Sequence, residues 1–233
     1  MLRIKDYSFL FNQTFGTKNN NGLINNIKVS SLSSLSTQQQ LKAAGINTNS
    51  AQYKAAIKEM SKHPGSMGMS TNPQAIKNLM RNFDANGDYI DPVSGLTGLD
   101  ATGIPMSQRH KIINISEESK QEIFEATKRA FINDYGTGSG DRGYRSEIYQ
   151  KCQRNTPKED RLKASWTLGR YEEAYEKAFT ETCLKADPSW QPGKSIPAGA
   201  LNNVTRESID NSLVKVQGEY GETFVRRGFD IQV

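Results

Sequence analysis

The acidic loop Asp84-Ala85-Asn86-Gly87-Asp88 is the segment whose residue types and spacing suggest the most specific chemistry. Its Asp and Asn side chains recur at every second position, directly after a predicted helix that ends at Phe83. Calcium binds several oxygen ligands from carboxylates, amides and backbone carbonyls. This spacing places such oxygens in one tight turn. The sequence therefore predicts a calcium site formed by Asp84, Asn86, Asp88 and Asp91.

The loop resembles the start of an EF-hand loop but departs from it in two places. Tyr89 stands where an EF-hand loop has glycine, and Gly95 stands near the position of the closing bidentate glutamate. If one residue is deleted at Tyr89, Ile90 takes the usual apolar position and Asp91 becomes the next ligand. Asp100 could replace the glutamate only if the chain folds back. The alternative is a turn in which these side chains bond to the backbone. Any calcium affinity is expected to be weak, as in extracellular modules.

The other chemically capable residues form no recognisable catalytic motif. Neither His63 nor His110 lies in a His-Glu-x-x-His pattern. Cys152 and His110 would form a nucleophile pair only if the fold brings them together. We interpret Cys152 and Cys183 as small core side chains, and a disulfide between two helices remains an alternative. A solvated helix face is the simplest interpretation of three acidic residues, Glu172, Glu173 and Glu176.

Two further patterns have structural interpretations. The glycine-rich segment 136–143 follows a predicted helix and lacks Gly-Lys-Ser/Thr. This context favours a flexible connector over a phosphate-binding loop. A row of aromatic residues has the spacing of one helix face, which favours core packing over ligand stacking; its members are Trp166, Tyr171, Tyr175 and Phe179. Arg170, one helical turn after Trp166, is expected to stack on that ring.

Charge and hydropathy exclude several classes of protein. The 233 residues carry a formal net charge of +5, but acidic and basic residues interleave, so nucleic-acid binding is not expected. No apolar run approaches the roughly 18 residues needed to span a bilayer. No small-residue cleavage site follows the short apolar patch Phe9-Leu10-Phe11. We therefore expect no classical signal peptide, and either a cytoplasmic protein or one exported by a non-classical route.

Helix start and stop signals predict a mainly α fold, namely an irregular helical domain with long loops and at most a small β hairpin. We expect this globular domain at residues 36–233, preceded by a flexible Asn- and Ser-rich arm at residues 1–35. Short strands are predicted at 111–115 and 230–233. Helices are predicted at about 38–44, 50–60, 73–83, 117–135, 144–153, 157–184 and 206–216.

Four segments of the chain resemble a family of uncharacterised proteins from Firmicutes bacteria. The resemblance extends over most of the chain and implies a bacterial origin. Since the family carries no established activity, the resemblance transfers no functional residue. The four segments are IKDYSFLFNQTFG at 4–16, NFDANGDYID at 82–91, LKASWTLGRYEEAYEKAF at 162–179 and NNVTRESIDN at 202–211.

Together these observations favour a non-enzymatic binding or interaction protein that contacts a protein partner and has a calcium-stabilised acidic loop. A structural alternative is self-association into a surface array or a protein inclusion, which the Asn, Gln, Ser and Tyr content permits. A third alternative is a hydrolase whose cleft is assembled from scattered residues. The hydrolase would require a pocket that holds Cys152 and His110, or two carboxylates close together.

Overall fold

A computed structural model of the protein describes residues 32, 34–62 and 72–227. Within this part the chain forms eight α-helices and a two-stranded antiparallel hairpin, which confirms the predicted mainly α fold. The chain divides into two compact units, Met1–Asp100 and Ala101–Val233, and we describe each by itself. Most of the predicted arm, the residue His63 and the predicted strand at 230–233 lie outside the described residues.

The first unit contains α1 to α3, and the second contains α4 to α8 and the hairpin. The first three helices are α1 (Leu35–Ala43), α2 (Ala51–Ser61) and α3 (Pro73–Met80). The others are α4 (Met106–Arg109), α5 (Glu117–Asn133), α6 (Tyr144–Arg154), α7 (Arg161–Ala186) and α8 (Arg206–Asp210), followed by β1 (Leu213–Gly218) and β2 (Gly221–Arg226). None of the described helices is both long and apolar enough to cross a membrane.

Polar side chains determine where many of the helices begin. As predicted, a side-chain oxygen caps the first turn at Ser50, Asn72, Ser116 and Thr205. Helix α1 begins before the predicted Thr37 because Ser34 accepts the amide of Thr37 instead. Gly45 follows α1 with φ +75°, a left-handed conformation that glycine adopts at little cost.

The sequence Thr156-Pro157-Lys158-Glu159 predicts a capping box at the start of the long helix, but the box does not form. The Thr156 hydroxyl instead donates to the Cys152 carbonyl at the end of α6, at 2.8 Å. The residues Lys158–Asp160 form one 3-10 turn, and the long helix α7 begins only at Arg161. The hydroxyl therefore closes the preceding helix rather than opening the next one.

A small apolar core holds the first unit together. Gln52 on α2 donates to the carbonyls of Met80 and Phe83, at 3.0 and 2.7 Å. The Met80 carbonyl ends α3 and also accepts the Phe83 amide at 3.0 Å, and the Phe83 carbonyl lies just beyond the helix. Helix α2 therefore fixes the point from which the acidic loop departs. The buried core residues are Leu32, Leu41, Ile46, Tyr53, Ala56, Met60, Ile76, Leu79 and Phe83.

The second unit is built around α7, whose aromatic row packs as predicted against α5. Tyr175 and Phe179 are completely buried. Phe124 meets Tyr175 at 5.2 Å between ring centroids, and Phe131 meets Phe179 at 5.5 Å. Because these contacts advance in the same direction along both helices, α5 and α7 run parallel.

Two local predictions in the second unit are wrong. The last predicted helix extends to residue 216, but the observed helix ends at Asp210 and β1 follows. Valines at 214 and 216 favour a strand, and cross-strand pairs with Val225 and Thr223 stabilise it. The predicted strand at 111–115 does not form, because its amides bond to side chains: Ile112 to Glu222 and Ile113 to Thr167.

Candidate functional site

The acidic loop is held by hydrogen bonds between its own atoms. The Asp84 Oδ1 atom accepts the amides of Asn86 and Asp88, at 2.9 and 2.8 Å. The Asp84 amide donates to the Asp88 carbonyl at 2.8 Å, and the Gly87 amide donates to the Asp84 carbonyl at 3.0 Å. Asp84 therefore acts as the organising side chain of a tight turn.

The acidic loop packs closely against the start of α2. Gly87 has φ +85°, and a Cβ at this position would lie 2.9 Å from the Ala51 carbonyl oxygen. Only glycine satisfies both constraints. Phe83 and Tyr89 close the loop with one β-bridge and an edge-on ring contact at 5.9 Å. The loop is thus a fixed part of the first unit.

Asp91 belongs to a second turn. Its Oδ2 atom accepts the Ser94 amide at 2.7 Å and the Ser94 hydroxyl at 2.6 Å. The described residues contain no group of three or more His, Cys, Asp or Glu side chains arranged to hold a metal ion. Any calcium site here would therefore use amide, backbone or water oxygens alongside the carboxylates, and its four ligands remain a prediction.

Glu172 accepts several hydrogen bonds in the second unit and is only 3% exposed. Its Oε1 atom accepts Arg145 Nε at 2.8 Å, the Tyr144 hydroxyl at 2.9 Å and Arg142 Nη1 at 3.4 Å. The Tyr149 hydroxyl lies 3.4 Å from Oε2. The prediction of a solvated helix face is therefore wrong for Glu172, because these donors replace the water that its charge requires.

The groups that donate to Glu172 stay in their protonated forms. Burial first, and then the Glu172 charge, raises the pKa of Tyr144 and of Tyr149. Both phenols therefore keep the proton that they donate. Burial disfavours the charge of Arg145, but the hydrogen bond to Glu172 and the charge of Glu172 together outweigh it and raise the pKa of that guanidinium. This arrangement is the pattern of a structural charge cluster that joins α6 to α7.

A planar stack lies beside the hairpin. The His110 ring lies on Trp166 with a centroid distance of 3.8 Å and an interplanar angle of 5°. The Arg170 guanidinium lies 4.4 Å from the Trp166 ring centroid, which confirms the predicted stacking. His110 Nδ1 lies 2.6 Å from the Tyr220 carbonyl oxygen. A carbonyl can only accept, so Nδ1 carries the hydrogen.

Both cysteines lie in the core of the second unit as free thiols. Burial raises the pKa of Cys152 and of Cys183, so both remain in the poorly nucleophilic thiol form. Cys152 interacts with Ser119 and Thr156, whereas His110 stacks on Trp166. The described contacts of Cys152 and His110 do not join them into the catalytic pair considered from the sequence.

A groove between α5 and α6 contains the carboxylates most relevant to the hydrolase alternative. It has a volume of about 410 Å³ and includes Glu122, Glu125 and Glu147 in its lining. The Lys151 ammonium contacts Glu122 and also lies 2.8 Å from Glu118. Neither Cys152 nor His110 lines this groove. Its charges form exposed ion pairs, which are ordinary on a protein surface.

Comparisons with curated proteins and with solved structures found no match. A family profile described as a domain of unknown function, DUF3879, matches residues 46–233. The matched segment includes the acidic loop, the Glu172 cluster and the hairpin, and it leaves out α1. The resemblance to an uncharacterised family is thereby confirmed, while the bacterial origin stays a prediction. Since the match covers most of the length of the chain, the chain belongs to the DUF3879 family.

Proposed function

We propose that this protein is a non-enzymatic binding protein that contacts a protein partner through its second unit. The supporting observation is a contrast between buried and exposed side chains. Glu172 and the two thiols are buried inside the fold, whereas Met106 and Tyr220, whose carbonyls bond to His110, have exposed side chains. Reactive groups engaged in this way stabilise structure, and exposed apolar side chains that lie together commonly mark interaction sites.

The binding surface that we propose consists of Ile104, Met106 and Tyr220, and we call it the His110 surface. The exposed fractions of these side chains are 37%, 51% and 62%. The Met106 carbonyl accepts the His110 amide at 2.7 Å, and the Tyr220 carbonyl accepts the His110 ring nitrogen at 2.6 Å. His110 therefore joins α4 to the tip of the hairpin, and Ile104 precedes Met106 by two residues.

Close packing keeps this surface in place before any partner binds. A Cβ at Gly221 would lie 2.4 Å from the His110 Cβ atom, so the hairpin tip and His110 are in tight contact. A preorganised surface loses little conformational entropy on binding. Arg109 and Lys111 flank His110 in sequence. Charge complementarity therefore favours a partner segment that combines apolar and acidic side chains.

We expect the double variant Met106→Ser, Tyr220→Ser to lose its partner while keeping its fold. Removing an aromatic anchor from the centre of an interface typically weakens binding on the order of tenfold or more. The test is affinity isolation of the full-length protein from the cells that naturally produce it. The amount of each co-purifying protein is quantified. A matched control, Ile132→Ser with Leu184→Ser, removes two other exposed apolar side chains, which are 43% and 41% exposed.

The proposal requires a protein that the wild type and the control variant retain and that the His110-surface variant loses. Equal recovery by all three proteins would contradict the proposal. If the retained protein is a second copy of the same chain, the surface would serve the self-association considered above. Sedimentation at increasing protein concentration would then show a rise in mass that the double variant lacks.

We also propose that the acidic loop binds calcium weakly. The hydrogen bonds within the two turns use Oδ1 of Asp84 and Oδ2 of Asp91, so the other oxygen of each carboxylate accepts no hydrogen bond from the part of the chain that the structure describes. Asn86 is exposed and can add an amide oxygen. The turn that Asp84 already organises would thus need little rearrangement to accept a cation.

Calcium should raise the thermal stability of the first unit relative to excess EDTA. At calcium concentrations of about 100 times the dissociation constant, a ligand that binds only the folded state adds about 2.7 kcal/mol. Calorimetric unfolding in EDTA and in millimolar calcium measures the shift. Asp88→Ala is the control, because Asp84 also organises the turn and its loss would act without metal. The same shift in Asp88→Ala, or no shift in the wild type, would reduce the loop to a structural turn.

A further inference from the structure

The connection between α5 and α6 is a glycine-rich segment, residues 136–143, which we call the glycine strap. Its sequence is Gly-Thr-Gly-Ser-Gly-Asp-Arg-Gly, and it contains no apolar side chain other than threonine methyl. The strap therefore cannot be held by burial of large apolar side chains. Glycine also loses more conformational freedom than other residues when it is ordered. Polar contacts must supply the stabilisation that keeps the strap in one conformation.

Arg142 provides the contact that ties the strap to α7. Its Nη1 atom contacts Glu176 and lies 3.4 Å from Glu172 Oε1. Its Nη2 atom lies 3.9 Å from Asp134 Oδ2. Burial disfavours the Arg142 charge, but the hydrogen bond to Glu176 and the charges of Glu176 and Glu172 together overcome this and raise the pKa of Arg142. One guanidinium thus lies among three carboxylates, two from α7 and one from the end of α5.

Asp134 fixes the other part of the strap. Its Oδ1 atom accepts the Gly136 amide at 3.0 Å, and its Oδ2 atom accepts the Gly140 amide at 3.3 Å. A Cβ at Gly140 would lie 3.0 Å from the Asp134 Cβ atom, so the strap lies directly on this side chain. The Asp134 side chain is only 5% exposed beneath it. Opening the strap would therefore uncover a buried carboxylate.

We propose that the glycine strap is a releasable device and that Arg142 is its latch. Arg142 is the strap residue that contacts the carboxylates of α7, and its side chain is 17% exposed. Glu172 keeps Arg145, Tyr144 and Tyr149 as donors when Arg142 leaves. Release of the latch therefore leaves the strap held by the Asp134 bonds to the Gly136 and Gly140 amides alone, while α6 and α7 stay joined.

Exchange of backbone amides tests the latch in the full-length chain. In Arg142→Ala we expect hydrogen exchange at residues 136–143 to become at least tenfold faster, with the helices α5 and α7 unchanged. The matched control is Arg145→Ala, which removes the other arginine on Glu172 but lies outside the strap. Arg142→Lys keeps the charge without the forked geometry and should give an intermediate rate. It also gives a readout if the alanine variant unfolds.

Guanidinium ion tests whether the forked group of Arg142 is what holds the strap. Low-millimolar guanidinium should fill the space left in Arg142→Ala and slow strap exchange several-fold, whereas sodium chloride at the same ionic strength should not. Three results would overturn the proposal: strap exchange that is unchanged in both Arg142 variants, strap exchange that accelerates equally in Arg145→Ala, or acceleration that spreads equally through α5 and α7. If guanidinium does not slow strap exchange in Arg142→Ala, the guanidinium group of Arg142 does not hold the strap, and the proposal fails.

Discussion

Replacing Glu172 with alanine should lower the free energy of unfolding of the second unit by about 1–3 kcal/mol, the cost of leaving partly buried donors without their acceptor. Glu172 is 3% exposed, and its removal leaves two partly buried phenols, Tyr144 and Tyr149, without their acceptor. Arg145, whose side chain is 45% exposed, can turn to water, and Arg142 keeps its contact with Glu176. Each buried donor that loses its partner costs free energy, because water cannot replace the bond. Removing only the shared acceptor is therefore more costly than replacing the acceptor and its donors together by apolar side chains.

The neighbouring Glu173 provides a matched control for this prediction. Its side chain is 61% exposed and pairs with Arg170 at the surface, so Glu173→Ala should change stability by roughly 0.5 kcal/mol or less. Both tryptophans of the chain, Trp166 and Trp190, lie in the second unit. Urea unfolding followed by tryptophan fluorescence therefore reports on the unit that contains both glutamates. Equal losses in the two variants would show that Glu172 has no special structural role.

The position of Glu172 could have been found in the sequence, but its partners could not. Glu172 follows Leu168 by four residues and precedes Tyr175 by three, so helical spacing puts it on the buried face of α7. A charge on an apolar face indicates a buried, bonded group. Its donors Tyr144 and Arg145 come from α6, and only the packing of two helices brings them together. The neighbouring acidic residues concealed this signal.

The helix starts depend on local sequence, whereas the hairpin depends on tertiary contacts. Ser50, Asn72 and Ser116 cap helices through bonds within a few residues, so local sequence was sufficient to predict them. The segment after Asp210 was different, because Val214 and Val216 are stabilised as a strand by residues that follow the turn. Intrinsic strand preference depends strongly on such neighbours. The cap at Thr205 fixed where the helix begins, but the strand pairing determined that it ends at Asp210.

The acidic loop shows how one sequence pattern can serve two purposes. Its Asp and Asn spacing predicts ligands, yet in the structure Asp84 binds the amides of Asn86 and Asp88. A carboxylate that caps a turn and one that binds calcium need the same short side chain at the same spacing. Residue type alone could not distinguish the two roles. The calcium titration can, because only metal binding makes stability depend on a ligand.

Leu41→Ala should destabilise the first unit by about 2–5 kcal/mol, the range for loss of a fully buried leucine. Leu41 is 0% exposed and packs in the core shared by α1, α2 and α3. The matched region of the DUF3879 family begins at residue 46, so α1 lies before it. The prediction therefore asks whether α1 is an integral part of the unit that carries the acidic loop.

Leu35→Ala is the control, because Leu35 lies on the same helix and is 76% exposed. The tryptophans do not report on this unit, so hydrogen exchange at the α2 amides around Ala56 is the suitable measurement. We expect Leu41→Ala to accelerate that exchange strongly and Leu35→Ala to leave it unchanged. If both variants exchange like the wild type, α1 contributes little to the core. In that case α2 and α3 alone would hold the acidic loop, because the Gln52 bonds to the end of α3 do not involve α1.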